Sequence, residues 1–180
     1  MNRAPLLFLI GYRGTGKTTV ARLVAARLHW HWLDADALLE ERAGRTIRQI
    51  FAEEGEKSFR DRESAVLQDV CRDARRVVAT GGGVILRAEN RALLKSGAVV
   101  WLKAPAAVLW ERMRQDDSTA ERRPNLAQGG LAEIEELLRV RTPLYEACQD
   151  FSVDTSEQTP DQVADAISAW FHHEAPKPGQ

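Results

Sequence analysis

Gly11-Tyr12-Arg13-Gly14-Thr15-Gly16-Lys17-Thr18 fits the pattern GxxxxGK[ST]. Glycines let a backbone curl until its N–H groups converge on phosphate oxygens. A helix starting at the end of the loop adds positive partial charge. The lysine reaches the β- and γ-phosphates of a nucleotide, and the threonine hydroxyl is a hard oxygen ligand for Mg²⁺. The motif therefore assigns Gly14, Thr15, Gly16, Lys17, Thr18 and the following Thr19 to nucleotide phosphates, with Thr18 also a metal ligand. It does not separate a kinase from an ATPase or a GTPase.

The flanks supply the context the motif needs. Leu6–Ile10 is wholly apolar, as suits a strand buried on both faces of a parallel sheet. Val20, Leu23, Val24 and Leu28 recur at helical spacing after the loop. A second strand is expected at 31–33, ending at Asp34-Ala35-Asp36. Thr46 reads as a helix N-cap before Ile47, Ile50 and Phe51. A longer helix is expected at 57–71 and a third strand at 77–80, ending in Gly81-Gly82-Gly83. A fourth strand follows at 98–102, with Pro105 opening a helix. A helix at 131–141, a fifth strand at 151–153 and a last helix from Thr159-Pro160-Asp161 to Phe171 complete the order. Residues 172–180 read as a frayed tail. Strands alternating with helices predict one α/β domain over 1–180, with a mostly parallel sheet. The stretch 115–130 is polar and aperiodic, the character of an active-site lid.

Composition narrows the function classes. Lys plus Arg total 25 against 26 Asp plus Glu, a net charge of −1, which argues against a nucleic-acid partner. No stretch approaches transmembrane length, so no membrane partner is expected. The apolar start is too short for a signal sequence, and a cytoplasmic monomer is expected. Cys71 and Cys148 lie in no metal-binding spacing and read as small apolar packing groups.

The acceptor side is less explicit. Asp34 and Asp36 end the second strand, where parallel sheets bind ligands. On extended backbone both would face one side, one toward Mg²⁺ and one toward a hydroxyl. The alternative is a pair of solvated turn aspartates, the second capping a helix at 37–42. Three glycines in succession open the backbone of 81–83 to a ligand; the alternative is a flexible loop.

These pieces together resemble the shikimate kinase family. The resemblance runs from Leu6 to Ala169. It includes the phosphate loop, Asp34-Ala35-Asp36, Ile50-Phe51-Ala52-Glu53-Glu54-Gly55-Glu56 leading to Phe59-Arg60, the triple glycine, Arg123-Pro124, and Arg141-Thr142-Pro143-Leu144-Tyr145. It implies a three-layer P-loop kinase fold with a five-stranded parallel sheet, a substrate-binding helical region at 35–62 and a lid at 115–130. It implies ATP-dependent phosphorylation of the 3-hydroxyl of shikimate, a step toward aromatic amino acids, with Mg²⁺ and ATP as co-substrate. By resemblance Asp34 sits near Mg²⁺, and Asp36 contacts the acceptor hydroxyl. Arg60 and Arg141 bind the shikimate carboxylate, and Gly81, Gly82 and Gly83 lie under its ring. Arg112 stacks on adenine, and Arg123 reaches the ATP phosphates. Lys17, Asp36 and Arg123 form the implied catalytic set. Two features depart from the family. Thr155-Ser156-Glu157-Gln158 stands where an adenine-side arginine is common, and the interval from Arg112 to Arg123 is long, making Arg122 a competitor for the lid role. A gluconate kinase on the same scaffold is the nearest alternative. A regulatory ATPase would need no acceptor at all.

Overall fold

The computed structural model describes residues 5–72, 74–115 and 130–173. Five strands, β1 (Leu6–Ile10), β2 (His31–Asp34), β3 (Arg76–Ala79), β4 (Ala98–Lys103) and β5 (Phe151–Asp154), form one sheet in the order β2-β3-β1-β4-β5. Every pairing is parallel. The helices are α1 (Lys17–Leu28), α2 (Ala35–Ala43), α3 (Ile47–Val70), α4 (Ala88–Leu94), α5 (Ala106–Arg114), α6 (Gly130–Cys148) and α7 (Pro160–His173).

Side chains alternate across a strand, and this splits the apolar runs between two cores. Leu6, Phe8 and Ile10 face one side with Val78, Val99 and Trp101, under α2, α3, α4 and α6. Leu7 and Leu9 face the other with Val77, Val100 and Val153, under α1 and α7. All five residues of β1 are fully buried, which is why its sequence shows no polar alternation. β2 is an edge strand, and Trp32 on it is 44% exposed. The order places β1 between β3 and β4, so the chain leaves the sheet centre at the point where strand order reverses. Parallel sheets bind ligands at that point.

Several expected boundaries move. Thr46 caps α3 in a full capping box with Gln49, but the helix it opens runs on to Val70 across a break at Gly55. The expected helix at 131–141 continues to Cys148, carrying Pro143 inside it. Proline lacks an N–H and crowds the preceding turn; buried Tyr145 and the partly buried Leu144 and Cys148 pack this last stretch against the core and keep it helical. Asp34, not Asp36, caps α2, accepting from the amides of Asp36 and Ala37. Asp36 is thus in a first helical turn and not on extended backbone. His172 and His173 belong to α7 and not to a frayed tail. A 3₁₀ turn at Val84–Leu86 and helix α4 were not anticipated. Cys71 and Cys148 are free thiols packed at the margin of the α3–α6 core, as their composition suggested.

Candidate active site

The phosphate loop bridges β1 and α1. Its turn is closed by Thr15 Oγ1 donating to the Tyr12 carbonyl at 2.8 Å. Lys17 Nζ donates to the carbonyls of Gly11 (2.9 Å) and Tyr12 (2.8 Å), so the ammonium lies across the start of the loop. Thr18 and Thr19 are exposed in the first turn of α1. Thr18 Oγ1 donates to Asp34 Oδ2 at 2.6 Å, while Asp34 Oδ1 caps α2. One carboxylate therefore fixes the start of α2 against the phosphate loop. A hydroxyl and a carboxylate, both hard oxygen donors, face each other beside the expected phosphates. That donor set fits Mg²⁺.

The acceptor residues converge on the triple glycine. A Cβ built at Gly81 would stand 2.7 Å from Asp36 Oδ1 and 2.8 Å from Glu63 Oε1. One at Gly83 would collide with the Arg60 guanidinium. Only glycine admits these side chains so close to the backbone. Arg60 is 8% exposed; its Nη1 donates to Glu63 Oε2 at 2.7 Å and its Cζ lies 4.9 Å from the Phe59 ring centroid. Gly82 touches the phosphate loop itself: its Cβ position lies 3.3 Å from the Gly11 carbonyl oxygen and 3.7 Å from Tyr12 Cα. Arg141, on α6, lies with its Cζ 5.6 Å from the Tyr12 ring centroid. Donor loop and acceptor loop are thus packed backbone to backbone.

On the nucleotide side, Arg112 in the last turn of α5 donates to Thr155 Oγ1 at 2.9 Å, to the Thr155 carbonyl and, at 3.4 Å, to the Gly14 carbonyl. These bonds lie in the guanidinium plane and set its orientation. Gln158 donates to the Asp154 carbonyl at 2.8 Å. Asp154 itself has its carboxyl held below the usual range, first by the Ser156 hydroxyl and next by the Ser156 amide. Arg122, Arg123, Pro124 and nearly all of the expected lid lie outside the described residues.

Four residues of this arrangement were not anticipated as functional. Tyr12 and Tyr145 are buried aromatic groups, at 3% and 0% exposure. Glu63 stands three residues after Arg60, a spacing that ordinary surface helices share. Thr155 anchors Arg112, and a threonine at a strand end carries no signal of that.

A phosphate loop at the sheet's switch point, abutting a loop ringed by a carboxylate and a buried arginine, defines a P-loop phosphotransferase of the α/β class. The family model described as shikimate kinase matches residues 13–172. A shikimate kinase of Rhodopirellula baltica is 45% identical over 159 residues, covering 87% of this chain and 85% of the relative. This chain belongs to the shikimate kinase family. The solved shikimate kinase of Acinetobacter baumannii, in complex with shikimate, superposes with a TM-score of 0.85 at 36% identity, covering 92% of each chain. A gluconokinase of Sinorhizobium meliloti shares the fold alone, with a TM-score of 0.67 at 18% identity over 97% of this chain and 95% of its own.

Proposed function

We infer that this protein transfers the γ-phosphoryl group of ATP to the 3-hydroxyl of shikimate, giving shikimate 3-phosphate and ADP. The observation that carries this reading is the meeting of Asp36, Arg60 and the triple glycine against the phosphate loop. It brings a carboxylate, a fork of N–H donors and open backbone to the place where an acceptor must lie.

The roles combine the family resemblance with these positions. The backbone of Gly14–Thr19 cradles the phosphates, and Lys17 leaves its carbonyl partners for the β- and γ-oxygens. Thr18 and Asp34 would hold Mg²⁺, Asp34 through bound water; the ion supplies charge neutralisation on the phosphate oxygens. Arg112 presents its fixed plane to adenine. Arg60 and Arg141 bind the shikimate carboxylate, for which a planar guanidinium is better matched than an ammonium. Asp36 orients the 3-hydroxyl. As its oxygen bonds to the γ-phosphorus, the bridging P–O bond to ADP breaks, and the hydroxyl proton passes to Asp36. Such transfer depends on positioning and charge stabilisation and needs no covalent enzyme intermediate. Arg123 is assigned to the transferring phosphoryl group from the sequence resemblance.

The test is steady-state kinetics with ATP and shikimate, shikimate methyl ester or gluconate. Shikimate should be the preferred acceptor and its ester a poor one, because the ester removes the charge that Arg60 and Arg141 meet. Faster turnover of gluconate would overturn the assignment. ATP hydrolysis unaffected by any acceptor would favour a regulatory ATPase.

A further inference from the structure

Among the described residues the side chain of Tyr145 is the largest of those fully buried, yet its hydroxyl reaches the site and not the core. Its ring stacks on Trp101 of β4, with centroids 5.6 Å apart and planes at 18°. Its hydroxyl donates to the Gly82 carbonyl at 2.5 Å. Arg141, one turn earlier on the same face of α6, Tyr12 and Glu63 lie within electrostatic reach of that hydroxyl. The hydroxyl thus stands where the glycine loop, the phosphate loop, α3 and α6 meet.

We propose that Tyr145 is a positioning residue for the acceptor, its hydroxyl fixing the Gly82–Gly83 peptide and tying it to the helix that carries Arg141. This rests on the reading of shikimate as the acceptor over that loop. The argument begins with the glycines. Three in succession have the widest backbone freedom of any sequence, so their conformation must be imposed from outside. A bond to the Gly82 carbonyl imposes it. In a trans peptide the carbonyl and the next N–H point in opposite directions, so the Gly83 amide is turned away from Tyr145. The amides of Gly82 and Gly83 donate to no backbone carbonyl among the described residues, and the bond decides which way one of them faces. The other flank of Gly82 is already set by contact with Gly11 and Tyr12. With the carbonyl held, the separation between acceptor loop and phosphate loop is fixed on both sides. Because Tyr145 and Arg141 share a helix face, the same anchor sets the register of the carboxylate-binding guanidinium.

The experiment is Tyr145→Phe in the full chain, which keeps the ring on Trp101 and deletes the donor. Native turnover of shikimate is measured first; its failure would sink the functional reading and not this one alone. Given turnover, the variant should raise KM for shikimate about threefold to tenfold, the worth of one hydrogen bond. Its affinity for ATP without acceptor should stay within a factor of about two of native. The amide resonances of Gly82 and Gly83 should shift in the acceptor-free protein. Trp101→Phe is the control: it weakens the stack and keeps the hydroxyl, so it should lower Tm while leaving KM for shikimate unchanged. An unchanged KM in Tyr145→Phe overturns the proposal. So does an equal rise in KM in Trp101→Phe at the same loss of Tm, since packing would then be the cause.

Discussion

Arg60 and Arg141 are expected to share one anion, yet their surroundings make them unequal in an experiment. The side chains of Arg60 and Glu63 are 10% and 5% exposed and paired at 2.7 Å. Arg60→Ala leaves the buried Glu63 carboxylate without that cation, and breaking a buried pair costs about 3–5 kcal/mol. Both stability and acceptor binding should therefore fall in Arg60→Ala. Arg141 is only partly buried, so Arg141→Ala should weaken shikimate binding about 10–150-fold, the loss of a charge-assisted hydrogen bond, with little change in urea midpoint. Equal destabilisation of the two variants would contradict this difference. Asp36→Asn keeps shape and removes the proton acceptor, so kcat should fall by about 10²–10⁴ while ATP affinity holds. A loss confined to ATP affinity would place Asp36 on the donor side. Tyr145 adds a pH signature. Burial, the largest influence, pushes its hydroxyl well above the ordinary range, with Arg141 partly opposing. An unfolded tyrosine titrates near pH ~10, while the folded one keeps its proton beyond that. Its contribution to stability is full below that value and is lost as pH rises. Urea midpoints measured from neutral into alkaline pH should decline in the native protein and decline less steeply in Tyr145→Phe; equal slopes would show that another group carries the loss.

Among the elements, α3 is the one whose geometry most constrains the site. It breaks at Gly55, at φ 80° and ψ 176°, a region that only glycine occupies at low cost. The break lets the first part of the helix turn away while the second carries Arg60 and Glu63 inward. Across the break, Glu54 accepts from Arg62 at 2.9 Å and from Arg45 at 2.6 Å, which holds the bend in one setting. An added Cβ at Gly55 meets no atom within 4 Å, so a substitution there tests backbone strain alone. Gly55→Ala should destabilise the protein by about 1–3 kcal/mol in urea unfolding and raise KM for shikimate. Native stability in that variant would mean that the bend relaxes without penalty. α6 is the counterpart on the other side, its last turns carrying Arg141 and Tyr145 past Pro143. A proline is an ordinary stop signal, so the true end of this helix was invisible until its buried face was seen against Trp101.

At the scale of the whole molecule, binding and stability are linked. Shikimate at about 100 times its Kd should raise stability by about 2.7 kcal/mol, or about 5–10 °C in Tm for a chain of this length. Gluconate at the same concentration should leave Tm unchanged, and Arg141→Ala should lose about half to nine-tenths of the shikimate shift. A shift of the same size with gluconate would mean that the site does not distinguish the shikimate ring from an open-chain acid. The sequence alone determined the α/β class, the parallel sheet, the phosphate loop and the chain order of the five strands, because each leaves a local pattern: a buried apolar run, a glycine turn, a helical spacing. The resemblance supplied Arg60 and Arg141 and the acceptor roles of Asp36 and the triple glycine, residues far apart in the chain that no local pattern brings together. Only the tertiary structure decided that Asp34 and not Asp36 caps α2, that Glu63 is buried against Arg60, and that Tyr145 holds Gly82. The first two are local contacts whose choice among alternatives is made by burial, and the third joins residues 82 and 145, sixty-three positions apart, where α6 packs against the glycine loop. A pairing of that last kind leaves no period, spacing or composition behind in the sequence, because it exists only once α6 has packed.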